Sequence, residues 1–91
     1  MGYSQTAIPK HFNGTANTTP ADVDFSNVSG SILIHNTGVT EDLLVSLDGG
    51  ANFKTIPSEN VLGYDDINLK KVVVKTSTGT TTYEIIITVD E

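Results

Sequence analysis

The chain has 91 residues, a net charge of −6, no cysteine and no arginine. That length supports one domain, and the missing thiols exclude disulfides, thiol chemistry and the usual structural zinc sites, for which only His11 and His35 would remain. Five lysines on an acidic chain do not make the basic patch that holds phosphates or anionic lipid, and no run approaches the roughly 20 apolar residues of a membrane span, so neither nucleic acid nor membrane is expected as a partner.

Residues 1–20, MGYSQTAIPKHFNGTANTTP, are rich in Gly, Thr, Asn and Ser and poor in aliphatics. Such a segment cannot bury enough apolar surface to fold alone. Its plain reading is a disordered tail; the sharper expectation is an extended polar arm that orders on a neighbour, with Tyr3, Ile8 and Phe12 as its anchors and Pro9 and Pro20 keeping it extended. It shows no charged-then-apolar pattern of a secretory signal. Deleting residues 2–20 is accordingly expected to leave the remaining domain, residues 21–91, folded.

From Ala21 the apolar period is two. Val23 and Phe25 share one face of ADVDF, Ile32 and Ile34 one face of SILIH, and Leu43, Val45 and Leu47 one face of LLVSL. FKTI is a short strand. NVLGYDDINL is mixed, with room for at most one helical turn near Tyr64 to Ile67. Val72 and Val74 oppose Lys71, Val73 and Lys75, and Tyr83, Ile85, Ile87 and Val89 oppose Glu84, Ile86 and Thr88. Val, Ile, Thr and Tyr suit a pleated surface. NVSG, NTGVTED, DGGAN, PSEN and STGTT read as turns between the strands. The spacing predicts an all-β fold: an antiparallel β-sandwich of about seven strands, immunoglobulin-like or jelly-roll.

Chemistry-bearing residues are sparse. His35 stands at a strand end with no nucleophile and acid arranged around it by sequence, and no Gly-x-Ser-x-Gly elbow occurs. Asp48 and Asn52 offer two side-chain ligands in one loop, too few for a calcium cage, and Asp65 and Asp66 are adjacent, so on a strand they face opposite ways. Gly49-Gly50 joins two strands and lacks the strand-to-helix setting of a phosphate loop. Asp48-Gly49-Gly50 reads instead as a turn, with Asp48 capping the corner and the glycines at positive φ. No catalytic, cofactor or metal residue is assigned. Phe25, Phe53 and Tyr83 fall on apolar faces, which leaves Tyr64 as the plausible exposed ring, the place for a glycan if the chain binds one.

The stretch from Ser31 to Val89 resembles a recurrent type of small virion protein from tailed bacteriophages. The shared features are Ile34-x-Asn36-x-Gly38, the segment SLDGGANFKTIP from Ser46 to Pro57, Val72 to Lys75 and Thr82 to Ile87. The resemblance implies a β-sandwich structural component without catalysis: a capsid cement or decoration protein, or a neck or tail-associated part. It implies major capsid protein or other virion subunits as partners, a homo-oligomer (trimer or dimer), and a place in the phage particle after synthesis in the host cytoplasm. A small Cys-free domain that needs support from neighbours fits such a role. A glycan-binding or host-attachment module is the alternative.

Overall fold

The computed structural model describes residues 7–90, except for the side chains at 7, 8, 27–29 and 90. Six strands follow one another: β1 Ala7–Ala16, β2 Ala21–Asn36, β3 Leu43–Ser46, β4 Lys54–Ile56, β5 Val61–Lys75 and β6 Thr81–Asp90. All pairings are antiparallel, in the order β1-β6-β2-β5-β3-β4. None of the described residues is helical. The all-β antiparallel fold expected from the periodicity is therefore present. Six strands do the work of about seven because β2 and β5 are long enough to serve twice.

β2 and β5 each cross a corner. On β2, the five steps from Asp24 to Ser29 face only the two from Lys71 to Leu69; further along, the two steps from Ser29 to Ser31 face four from Leu69 to Asp65. Each strand thus carries its own bulge, and the two compensate to within one residue. Each bulge also holds a non-glycine residue at positive φ, Ser26 at 66° and Asp66 at 56°. Both are residue types whose short polar side chains bond locally, and the Ser26 N–H donates to Asp24 Oδ1 at 2.8 Å. Bulges bend and twist a strand, so the ribbon folds back on itself. The turn read at Asn27 to Gly30 lies within this corner of β2, and the helical turn considered near Tyr64 to Ile67 lies within β5.

Two layers result. One holds β1, β6, the end of β2 and Val61–Asp65 of β5; the other holds the start of β2, Val72–Lys75 of β5, β3 and β4. The two ends of β5 return to the same end of the molecule. Asn60 O accepts from Asn36 N at 2.9 Å, and Thr76 N donates to Asn17 O at 2.8 Å. Between the layers lies one core of Phe25, Ile32, Ile34, Leu43, Val45, Ile56, Val72, Val74, Ile85, Ile87 and Val89. These are the alternate positions that the period-two reading turned inward.

The arm expectation needs correction over residues 7–20. Ala7–Ala16 is β1, paired residue for residue with Asp90 through Thr81 of β6. The Phe12 ring lies 5.2 Å from that of Phe25, Ala16 is buried, and Gly14 lets the chain pass close to the Tyr83 ring. The segment is poor in aliphatics because it is an edge strand with one wet face, and the apolar surface it lacks is supplied by β6 and β2. A domain boundary at residue 20 would cut this sheet.

Candidate interaction surface

Two polar clusters that carry the motif residues turn out to be internal supports. The first is centred on Asn36, which is fully buried. Its Nδ2 donates to Glu41 O and to Ile56 O, both at 2.9 Å. Its Oδ1 accepts from Gly38 N at 3.1 Å and from Thr81 Oγ1 at 2.7 Å. The amide thus spends all its bonding capacity tying the end of β2 to the following loop, to β4 and to β6. A Cβ at position 38 would overlap Thr81 Oγ1. Asn36-x-Gly38 is therefore a buried knot and its clearance.

The second cluster is the corner after β3. Ser46 Oγ donates to Asp48 Oδ1 at 2.6 Å and accepts from Gly50 N at 2.8 Å. Asp48 Oδ1 also accepts from Asn52 N, and Asp48 Oδ2 from Asn52 Nδ2, both at 2.9 Å. Gly49 and Gly50 sit at φ 79° and 99°. The turn expected from the sequence is present, with Ser46 as a second organiser. A Cβ on Gly49 would meet nothing within 4 Å, so Gly49→Val isolates the backbone cost. It should destabilise the fold by about 1–2 kcal/mol in a urea melt, and an unchanged midpoint would contradict this geometry.

The bond from Ser46, followed by those from Asn52, lowers the Asp48 pKa from 3.8 to about 2. A carboxylate whose folded value lies below its unfolded one stabilises the fold above the unfolded value, and that contribution fades as pH falls through the folded one. The thermal midpoint of the wild type should therefore drop toward that of Asp48→Asn between about pH 4 and pH 2. A difference that stays constant over that interval would show that the charge of Asp48 is not used.

What faces outward is different in kind. On the outer side of the four-stranded layer, His11, Ile86, Leu33 and Gly63 stand side by side across β1, β6, β2 and β5. Leu33 is 41 % exposed, and Val61 of the next row is 57 % exposed. A groove of about 290 Å³ runs past Ser31, Leu33, Gly63, Asp65, Ile86 and Thr88. Gly63 helps keep it open, because a Cβ there would meet Leu33 Cδ1 at 3.2 Å. The sequence carried the signal in SILIH and EIIIT. When three apolar residues run consecutively on a strand and the outer two face the core, the middle one must face out.

Tyr3 lies outside the described residues, and Ile8 is opposite Val89 in β1. Phe12 is half-buried and packs on the core, so its ring is used within the fold and is not held out for a partner. Tyr64 is 36 % exposed on the edge opposite β1. It lines a second cleft of about 230 Å³ with Val45, Leu47, Asp48, Asn52, Phe53 and Lys54. Phe25 is buried, and Phe53 is half-buried under Lys75 Nζ, which lies 4.4 Å from its ring centroid. His35 lies one residue before the end of β2, beside Glu84 and Val61. Among the described residues, no three His, Asp or Glu side chains converge as metal ligands would.

No family model matches the chain, and no curated protein matches it. Solved structures do. A Cupin_2 domain of an XRE-family transcriptional regulator from Enterobacter cloacae aligns at TM-score 0.61 and 13 % identity, over 92 % of this chain and 93 % of that one. A protein of the Bacillus endospore appendages, described as a family of disulfide-linked pili, aligns at 0.55 and 13 %, over 97 % and 91 %. The SPBc2 prophage-derived protein YomS aligns at 0.55 and 17 %, over 90 % and 96 %. At these identities the likeness concerns the fold. The chain has the compact all-β antiparallel architecture of cupin-like domains, a scaffold that serves unrelated purposes.

Proposed function

We propose that this chain is a non-catalytic structural subunit of a tailed-phage particle, and that its place is on the capsid as a cement or decoration protein contacting the major capsid protein. The observation that carries the reading is the division of labour among its residues. The motif polar groups Asn36, Ser46 and Asp48 bond within the fold, Asn36 with Thr81 among its partners. Unspent apolar surface includes the outer face with Leu33 and Val61, suited to contact with another protein. The resemblance over Ser31 to Val89 points the same way. The same fold occurs in a prophage-derived protein and in a pilus-forming one, which fits a structural role without fixing its location. Neck and tail positions remain alternative places for the same kind of subunit.

The test is rebinding. Purified protein added to particles lacking it should bind saturably, and Leu33→Asp, a change at an exposed position, should reduce binding at least tenfold with the fold retained. Equal binding by Leu33→Asp would remove this face from the contact. The glycan alternative draws on Tyr64 in its cleft beside Phe53 and Asn52. It predicts glycan-array binding that Tyr64→Ala abolishes, and an array without signal counts against it.

A further inference from the structure

The four-stranded layer has an open edge at Val61–Asp65 of β5. β3 reaches β5 only at Val73 to Lys75, so among the described residues no strand pairs with Val61–Asp65 on the side away from β2. The phase of the ladder tells which groups face that side. Asn36 N donates to Asn60 O, so residue 60 turns its main chain toward β2, and in an antiparallel pair every second residue does the same. Leu62 and Tyr64, opposite Ile34 and Ile32, therefore bond toward β2, and the N–H and C=O groups of Val61, Gly63 and Asp65 point away from it. Among the described residues, no backbone hydrogen bond outside the ladders uses them. Such a row is a template for an added strand.

We propose that this edge takes an extended segment of another protein, added as an antiparallel strand with a basic residue opposite Asp65 and a large apolar residue opposite Gly63. The side chains around the edge set that chemistry. Gly63 leaves a bare place in its row, in the groove lined by exposed Leu33 and by Ile86. A ring on the added strand lies over that place and covers Leu33, the pairing that best compensates an edge glycine. Asp65 stands on the same face two residues on; it is exposed, and no ion pair among the described residues holds its carboxylate. A lysine or arginine opposite it completes a cross-strand charge pair. The position between the two faces the other way, beside Tyr64, where the cleft with Val45, Leu47 and Phe53 receives an apolar side chain. An antiparallel strand meets Asp65 first and Gly63 two residues later, so the pattern is basic-x-large apolar. This chain has no free segment of that kind. Its lysines stand two residues before Phe12, Ile56, Val72 and Val73, each packed on the core or buried, and before Ser77; its histidines stand two before Asn13 and Thr37. Residues 1–6 hold no basic side chain. The occupant is therefore another protein and not a second copy. The inference goes beyond the reading of a phage subunit, because the edge and its pattern are the same wherever the chain resides.

The test is fluorescence anisotropy of the wild-type protein with a labelled peptide, Ser-Lys-Leu-Phe-Thr-Val-Ser, whose Lys, Phe and Val meet Asp65, Gly63 and Val61. Binding should saturate. The register names which peptide amide is used: the Phe N–H faces Gly63 O, whereas the N–H of the preceding Leu points away from the edge. N-methylation of Phe should therefore weaken binding by about tenfold or more, and N-methylation of that Leu should change it little. Exchanging Lys and Phe in the peptide should weaken binding, as should high salt. Asp65→Lys, a change at an exposed position, should weaken it several-fold with the melt unchanged. No saturable binding, equal loss from the two N-methyl peptides, or an Asp65→Lys protein that binds as the wild type does would each overturn the proposal.

Discussion

Replacing Asn36 by Ala should destabilise the protein by about 3–5 kcal/mol, a large share of the roughly 5–14 kcal/mol that holds a domain of this size. The side chain is fully buried and makes four hydrogen bonds. Its removal leaves Glu41 O, Ile56 O, Gly38 N and Thr81 Oγ1 to find partners, and every buried side-chain polar atom among the described residues is now paired. An unpaired buried polar group costs about 1–3 kcal/mol, and hydroxyl rotation recovers part of the total. The thermal midpoint should fall by roughly 15 °C or more. Asn36→Asp separates bonding from packing. It keeps the shape and both acceptor roles of Oδ1, but turns an oxygen toward the carbonyls of Glu41 and Ile56, so it should be as damaging as Ala at neutral pH. The nearby Thr37 is the control: its hydroxyl pairs with Thr82 Oγ1 at an exposed position, and Thr37→Ala should cost under about 1 kcal/mol. A stable Asn36→Asp protein would show that the two amide donors are dispensable.

Removing residues 2–20 should abolish cooperative folding, the reverse of what the arm reading implies. The deletion strips a ten-residue ladder from β6 and takes away the Phe12 ring that packs against Phe25. It leaves Ile85, Ile87 and Val89 on a bare edge strand above an opened core. Burial of one aromatic ring is worth about 1.5–3 kcal/mol and each ladder bond about 0.5–1.5 kcal/mol net, so the loss matches the whole stability of the domain. Near-ultraviolet circular dichroism and a urea melt read the outcome. A shorter deletion, residues 2–6, leaves β1 whole, which makes it the way to ask whether Tyr3 contacts a partner. A sharp melt after loss of residues 2–20 would show that β1 is an accessory.

Strand faces were legible because a sandwich with one wet side per layer writes its core in alternate letters; Ile32, Ile34, Ile85 and Ile87 are buried as that alternation requires. The corner at Gly49-Gly50 was legible because positive φ narrows the choice of residue. The bulged corners at Ser26 and Asp66 were not, since Asn, Ser, Gly and Asp mark a bulge and a turn with the same chemistry. β1 was missed for a related reason. An edge strand borrows its apolar neighbours from β6, and nothing within residues 7–16 records that loan. The role of Asn36 was hidden as well, because a lone Asn before a Gly reads as a turn until Ile56 and Thr81 are brought to it from elsewhere in the chain.

The central claim, that the chain is a structural part of a phage particle, is tested most directly by locating it in purified particles. The account predicts a copy number that is a multiple of the shell symmetry, and density on the capsid surface into which the sandwich fits with its Leu33 face against the major capsid protein. Particles that lack the chain at every purification step, while the infected cell contains it in quantity, would contradict the account.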